Sequence, residues 1–207
     1  MSAAIPREPA CPLDGGTNAP TGYRGRAFVY VLAASGPEDL AKVGITHDPL
    51  ERWSSFHPRW FEAFDLDHSL LIETETRADA QALETRLHRQ LEAHNCPMPL
   101  TMRLQVGGFT EWYRGAYAQL RRFAAGCRKE GYIVHDVATD WLRAPMRVQQ
   151  ANLWALLEKT HMDHCAGWLS DAQHKAVRDL LDAHRIFDED LIDRLDQTVL
   201  RSLGLLP

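Results

Sequence analysis

Two stretches decide how this chain folds: RAFVYVLA at residues 26–33 and AKVGITHDPLER at residues 41–52. The first is apolar and rich in β-branched and aromatic residues, which favours a strand. The second begins in the same way over residues 41–46 and then reaches Asp48-Pro49, a capping residue followed by a proline, which is typical of a helix start. The sequence therefore predicts a β-hairpin with a long loop, followed by a helix that carries Arg52.

Further elements of both kinds follow, up to about Lys129. FDLDHSLLI at residues 64–72 predicts a third strand, and residues 76–94 predict a helix. The apolar stripe of that helix consists of Ala80, Leu83, Leu87 and Leu91. Residues 95–108 hold two prolines and a Gly-Gly pair, so they are predicted to form a loop that leads towards a last helix.

The two ends of the chain differ from this central part. Residues 1–24 are rich in proline and glycine and have little apolar periodicity, which predicts a flexible leader. From residue 137 onward the apolar residues recur at helical spacing and no strand is predicted. We therefore divide the chain into a leader (1–24), a central domain (25–130) and an all-α module (137–207).

Composition and charge limit the class of protein. No apolar run approaches the roughly 20 residues that span a bilayer, and the N-terminus lacks a signal-peptide pattern, so an intracellular, membrane-free protein is expected. The 4 cysteines are scattered without a CxxC pair, which argues against a zinc ribbon or a disulfide framework. The formal net charge of −5 disfavours a general nucleic-acid coat but leaves room for a local basic patch.

Several side chains of the central domain suit the cleavage of a phosphodiester. That reaction needs an activated water, a partner for the phosphate charge and a stabilised leaving oxygen. A metal-binding carboxylate, an arginine and a group that handles protons supply these. Tyr30, Arg52, Glu84 and Glu111 occur in that order along the predicted elements.

These residues lie in motifs that resemble the GIY-YIG nuclease superfamily, in particular its divergent phage and bacterial branch. That branch has a first strand like VYV and a second motif like KIGxTxDPxxR, and the chain has Val29-Tyr30-Val31 and then residues 42–52. Its glutamate helix is like ALExxLHxxL and its end is like GxxEWF, which residues 82–91 and 108–113 match. The resemblance covers about half the chain, with five pieces in order, because the second motif combines a strand that ends in Gly44 with a helix that carries Arg52.

The resemblance implies a fold, a reaction and a cofactor. The fold would be α+β, with a three-stranded antiparallel sheet flanked by helices. Glu84 would hold one divalent ion, Mg²⁺ or Mn²⁺, while Tyr30 would help to deprotonate the attacking water and Arg52 would hold the scissile phosphate. Water would attack directly and leave a 5′-phosphate. DNA is the expected substrate, with RNA left open.

Three positions depart from the superfamily's usual pattern. Lys42 replaces the tyrosine of the second motif, and it can act as a base if burial lowers its pKa or as a cation that binds phosphate. Phe56 stands where many members have His or Tyr, four residues after the arginine, and His57 follows it as a candidate for the same catalytic role. Glu111 occupies the region where other branches have an asparagine.

Other residues have two open interpretations. Thr46, His88 and Glu111 are predicted to support the site or to close the domain; His88 follows Glu84 at i+4 and therefore shares its helix face. Arg114, Arg121 and Arg122 either contact the nucleic-acid backbone or form an ordinary solvated face.

Two other functions remain open besides the nuclease. The central domain would bind nucleic acid without cutting it if the departures had removed activity. Alternatively, the chain would be an adaptor whose module at 137–207 binds a protein or a second copy of itself. Residues 181–205 resemble, over a short stretch, the end of a sterile-alpha-motif-like helical module, which implies such self-association or partner binding.

Overall fold

The computed structural model describes residues 25–99 and 110–206. The predicted leader at residues 1–24 lies outside the described residues, as do Gly108 and Phe109 of the last motif and most of the loop predicted at 95–108. In the described parts of the chain, no helix has the length and apolar character that a membrane crossing requires.

Short and long strands together form one antiparallel sheet. The strands are β1 Ala27–Ala34, β2 Leu40–Thr46, β3 Phe64–Thr74, β4 Asn95–Cys96, β5 Trp112–Arg114 and β6 Ile133–His135. Their order across the sheet is β4-β5-β2-β1-β3-β6. The α+β class is confirmed, and the expectation of three strands is wrong because the sheet has six strands within the described residues. The extra strands are only two or three residues long, too short for the alternation that reveals a strand in a sequence.

The helices follow the predicted pattern in the central domain and fill the C-terminal region. They are α1 Pro49–Ser54, α2 Trp60–Ala63, α3 Arg77–Gln90, α4 Tyr117–Lys129, α5 Ala138–Cys165, α6 Asp171–Phe187, α7 Leu191–Arg194 and α8 Gln197–Ser202. The helix predicted at residues 76–94 is present as α3, which is followed by a 3₁₀ turn at Glu92–His94. The all-helical character predicted from residue 137 onward agrees with α5 to α8.

The alternation of side chains along β1 divides the interior into two layers. Val29 and Val31 face one layer, in which α3 and α4 contribute Leu87 and Leu120. The residues between them along β1 face the other layer. That second layer consists of Phe28, Tyr30, Leu32, Trp53, Phe56, Trp60, Phe64, Leu142, Phe187 and other apolar side chains. Tyr30 therefore lies on the face of the sheet that α1 covers.

The C-terminal helical region, residues 137–207, shares this second layer with the sheet. Leu142 of α5 and Phe187 of α6 are buried there, and the Phe187 ring stacks on Trp60 with centroids 5.9 Å apart. The boundary predicted near residue 137 falls between β6 and α5. Residues on both sides of it pack into the same core.

Arg59 links α2 to α6 by charge. Its guanidinium reaches Asp179 at 2.6 Å and Asp182 at 3.0 Å, and it also contacts Glu62 next to it in the chain. Arg59→Met should therefore lower the free energy of unfolding by about 1–2 kcal/mol, because Asp179 loses this cation and Asp182 keeps only its longer contact with Arg185. Chemical denaturation measures this loss.

Arg185→Met is the matched control for that substitution. Arg185 is more exposed and approaches Asp182 only to 3.8 Å, within its own helix. Its loss should cost roughly 0.5 kcal/mol or less, as exposed helical ion pairs do. An equal effect of both substitutions would show that the link between α2 and α6 contributes no special stability.

Candidate active site

Tyr30 and Gly44 face each other across β1 and β2, and the tyrosine ring lies directly over the glycine. A Cβ atom on Gly44 would be 2.5 Å from the Tyr30 hydroxyl oxygen and 2.7 Å from the ring carbon that bears it. The ring of Tyr30 meets Trp53 edge-on at 6.0 Å. The second motif therefore has a glycine because no larger residue leaves room for the tyrosine of the first motif.

Gly44→Ala should displace the Tyr30 ring, because the added methyl group overlaps its hydroxyl end. We expect a loss of about 1–3 kcal/mol in the free energy of unfolding, the usual cost of overpacking. Gly126→Ala is the control: nothing lies within 4 Å of an added Cβ at this position in α4, and alanine favours a helix over glycine by about 1 kcal/mol. Denaturant titrations should move in opposite directions; equal stability of the two variants would contradict the close approach.

The start of α1 is fixed by hydrogen bonds that begin at Thr46. The Thr46 hydroxyl accepts from the Asp48 amide at 3.1 Å and donates to the Asp48 carbonyl at 3.0 Å. The Asp48 carboxylate in turn accepts from the Glu51 amide at 3.0 Å and caps the helix, with Pro49 as its first residue. This confirms the predicted helix start and assigns Thr46 to the positioning of the helix that carries Arg52.

Arg52 lies over the ring of Phe56, one turn further along the chain, with its guanidinium carbon 4.8 Å from the ring centre. Phe56 is buried, and its ring also lies 5.5 Å from the Lys42 ammonium. By sequence alone, Phe56 is only a departure from the usual pattern. Its i+4 spacing from Arg52 is the signal that indicates a platform under the arginine.

Lys42 is almost fully buried, with 1% of its surface exposed. Its ammonium lies 2.8 Å from a Glu111 carboxylate oxygen and 5.7 Å from the centre of the Trp112 ring. Burial lowers the pKa of Lys42 below its ordinary value, and the ion pair with Glu111 offsets part of that change. The side chain therefore gives up its proton more easily than an exposed lysine.

Burial has the opposite effect on Tyr30, because the phenolate is its charged form. It raises the pKa of Tyr30 to about 12, while a side-chain hydrogen bond from Arg52 and the positive charge of Arg52 offset part of the change. Tyr30 therefore keeps its proton at neutral pH.

Glu84 lies in α3 and is buried, with 7% of its surface exposed. One carboxylate oxygen accepts a hydrogen bond from Gln81 at 2.7 Å, and the other lies 3.7 Å from His88 Nε2. The negative charge of Glu84 raises the pKa of both Tyr30 and Lys42. The helix on one side of the sheet therefore brings its carboxylate within electrostatic reach of the groups on the other side.

The structure brings five predicted site residues from separate elements into one cluster, defined here as the polar cluster. Its members are Tyr30 of β1, Lys42 of β2, Arg52 of α1, Glu84 of α3 and Glu111, which directly precedes β5. The Arg52, Glu84 and Glu111 charges all act on Tyr30 and on Lys42. The order of the motifs along the chain thus corresponds to a real convergence in space.

Other predicted site residues lie elsewhere. The His57 ring accepts from the Arg59 amide at 3.0 Å and lines a cleft with the turn at 34–38, instead of joining the polar cluster. Arg114 pairs with Glu38 at 3.0 Å and Arg121 pairs with Asp136 at 3.2 Å. Arg122 is exposed on α4.

Tyr113 of β5 is buried in the core and also makes polar contacts in this region. Its hydroxyl and His88 Nδ1 are hydrogen-bonded, and the two rings stack with centroids 5.7 Å apart. The end motif of the divergent branch has phenylalanine at the corresponding position, so a tyrosine at residue 113 is the signal that could have indicated a polar role.

The donor atoms of the polar cluster fit one kind of metal better than others. No group of three or more His, Cys, Asp or Glu side chains that could enclose a metal ion occurs among residues 25–99 and 110–206. A zinc site needs such a group, whereas Mg²⁺ is commonly held by one or two carboxylates together with water and substrate oxygens. Glu84, as a single carboxylate ligand, fits the Mg²⁺ arrangement.

A comparison with protein families gives one match, within the central part of the chain. Residues 27–128 match the model of the T5orf172 domain, a nuclease-associated domain of the GIY-YIG-like type. The match suggests interaction with nucleic acid. Comparisons with curated proteins and with solved structures gave no match.

Proposed function

We propose that this chain is a GIY-YIG-type endonuclease that hydrolyses phosphodiester bonds of DNA with the help of one divalent metal ion. The convergence of Tyr30, Lys42, Arg52, Glu84 and Glu111 carries the proposal. Four elements and the segment before β5 contribute one such residue each, and a chain that needed only a stable core would have no reason to bury a lysine and a glutamate there. The similarity of residues 27–128 to a nuclease-associated domain supports it.

Arg52 binds the scissile phosphate. It is the partly exposed cation of the polar cluster, and its position over Phe56 limits the directions in which it can donate. A guanidinium offers two parallel hydrogen bonds to phosphate oxygens, which fixes the phosphate as well as neutralising its charge. Tyr30, which keeps its proton, donates a hydrogen bond towards the reacting oxygens and orients them.

Lys42, in its neutral form, accepts the proton of the attacking water either directly or by relay through the Glu111 carboxylate. Of the two buried polar groups on β1 and β2, Lys42 has a lowered pKa and Tyr30 has a raised one. A general base works best when its pKa lies near the working pH. Glu111 is the more exposed partner of the pair and extends it towards the surface.

Glu84 holds the metal ion. Its carboxylate is oriented by Gln81, and the other oxygen has only a long contact with His88. When bound, Mg²⁺ or Mn²⁺ would stabilise the charge that develops on the phosphate and on the leaving oxygen. Without that ion, Arg52 alone would have to compensate this charge, so cleavage is expected to depend on added metal.

The decisive experiment follows conversion of supercoiled plasmid to nicked and linear forms by the full chain. Cleavage should occur with Mg²⁺ or Mn²⁺, stop with EDTA, and leave ends that DNA ligase can rejoin, because the products carry 5′-phosphates. An identically purified Glu84→Gln protein excludes contaminating nucleases. Absence of cleavage on plasmid, single-stranded and branched DNA would overturn the proposal.

Binding of nucleic acid without cleavage is the second candidate. It is favoured by the deep burial of both Lys42 and Glu84, which leaves little of either side chain accessible. This function predicts DNA affinity that falls with increasing salt and does not change in the Glu84→Gln protein. Electrophoretic mobility shifts at two salt concentrations, measured beside the plasmid assay, distinguish the two functions.

A further inference from the structure

A chain of polar contacts runs from the sheet to the carboxylate of Glu84. Tyr113 of β5 is hydrogen-bonded through its hydroxyl to His88 Nδ1, and His88 Nε2 lies 3.7 Å from Glu84 Oε1. Gln81 donates to the other oxygen, Oε2, at 2.7 Å. Both ends of the carboxylate therefore face a side chain of α3, and one of these side chains is held in turn by the last strand of the central domain.

The positions of the protons in this series of contacts follow from Tyr113 at one end and Glu84 at the other. Burial raises the pKa of Tyr113 to about 12, so the phenol keeps its proton at neutral pH. The phenol can therefore act as the donor in its hydrogen bond to His88 Nδ1, and the Glu84 carboxylate beside Nε2 favours this polarity because it attracts the ring proton to that nitrogen. The Tyr113 hydroxyl thus donates to Nδ1 of His88.

This donation decides which nitrogen of His88 carries the proton. A neutral imidazole has one N–H donor and one acceptor nitrogen. Since Nδ1 accepts from Tyr113, the proton lies on Nε2, which faces Glu84 Oε1. The phenol then donates to the imidazole, and the imidazole N–H faces the carboxylate oxygen at 3.7 Å, an electrostatic contact longer than a hydrogen bond.

We infer that Tyr113 and His88 are positioning residues that orient the Glu84 carboxylate for a divalent metal ion. The inference rests on the proposed metal-binding role of Glu84. Residues that orient a metal ligand commonly contribute 10- to 100-fold to metal affinity. The Tyr113 hydroxyl does not contact Glu84; it contributes to metal affinity through His88, by fixing the tautomer of the imidazole.

Two measurements on the full chain test the inference. Titration calorimetry gives the Mn²⁺ affinity, and nitrogen-15 NMR of the histidine rings at fixed neutral pH reports which nitrogen of His88 is protonated. Tyr113→Phe keeps the stacked ring but removes the donor. It should move the proton of His88 towards Nδ1 and weaken Mn²⁺ binding about tenfold.

Two further variants separate positioning from packing. His88→Gln retains an amide donor near the place of Nε2 and should keep Mn²⁺ affinity within about threefold of the wild type, whereas His88→Leu should lower it about tenfold or more. Tyr117→Phe is the matched control, because Tyr117 packs edge-on against His68 and is remote from this chain of contacts. It should leave both measurements unchanged.

The outcomes distinguish this inference from the proposed nuclease activity. A wild-type protein that binds Mn²⁺ and responds to Tyr113→Phe supports the inference even if it fails to nick plasmid. An unchanged His88 tautomer, or unchanged Mn²⁺ affinity in Tyr113→Phe, overturns it even if the wild type is an active nuclease. Absence of Mn²⁺ binding to the wild type overturns it as well.

Discussion

Glu84→Gln is expected to reduce plasmid nicking by about a thousandfold or more. The substitution keeps the shape of the side chain and removes the charge that a divalent ion needs. Metal-ion catalysis contributes several kcal/mol to the stabilisation of the transition state, and each 1.4 kcal/mol corresponds to about a tenfold change in rate. The plasmid assay with saturating Mg²⁺ measures the loss, and the unfolding free energy shows whether the fold is retained.

Glu92→Gln is the matched control for the loss of one carboxylate. Glu92 is exposed in the 3₁₀ turn that follows α3, so the same change in net charge occurs a few residues away, outside the polar cluster. Its nicking rate should equal that of the wild type. If Glu84→Gln nicked at the wild-type rate, Glu84 would not be the metal ligand and its burial would have only a structural cause.

Lys42→Met is expected to lower the nicking rate by about 10²- to 10⁴-fold, the usual contribution of a general base. Methionine fills a similar volume among the aromatic rings that surround Lys42. Glu111 loses its partner but remains about one-third exposed, so water can solvate it and the fold should persist. Thermal unfolding beside the plasmid assay separates a loss of activity from a loss of structure.

The pH dependence of the reaction identifies which form of Lys42 acts. Since burial lowers its pKa, Lys42 loses its proton at a pH below the ordinary 10.5 of a lysine. If the neutral amine is the base, the nicking rate should rise with pH and level off above the pKa of Lys42. Tyr30 does not produce this limb, because its pKa of about 12 lies above it.

Lys42→Arg distinguishes a base from a cation at this position. Arginine keeps the positive charge at all accessible pH values and cannot act as a base. The proposed role predicts a loss of rate in Lys42→Arg as large as in Lys42→Met, together with loss of the rising limb. Wild-type activity in Lys42→Arg would show that a fixed positive charge is sufficient, as expected for a phosphate ligand.

The longer elements could be predicted from the sequence because their signals are local. The apolar run at 26–33 and the residues that follow Asp48 determine β1 and the start of α1 within a few positions, and the stripe through Leu83 and Leu87 determines α3. β4, β5 and β6 could not be predicted in this way. A strand of two or three residues forms only because a neighbouring strand offers it hydrogen bonds, so its position depends on contacts far away in the chain.

The candidate site, too, could be predicted from the sequence only in part. The order of motifs identified Tyr30, Lys42, Arg52, Glu84 and Glu111, since each residue type is required by the chemistry. The contacts between them were not visible in the sequence. The ion pair of Lys42 with Glu111 joins residues 69 positions apart, and the bond of His88 with Tyr113 joins residues 25 positions apart.

The sequence by itself determined the α+β class, the main helices and strands, and the residue types available for chemistry, because propensity, capping and periodicity act over a few residues. Only the tertiary structure decided which side chains share one environment. Burial changes the pKa of Lys42 and Tyr30 in opposite directions, and it does so because β1, β2 and α1 together exclude water from both. Desolvation depends on everything that surrounds a group, so no local pattern of residues can specify it.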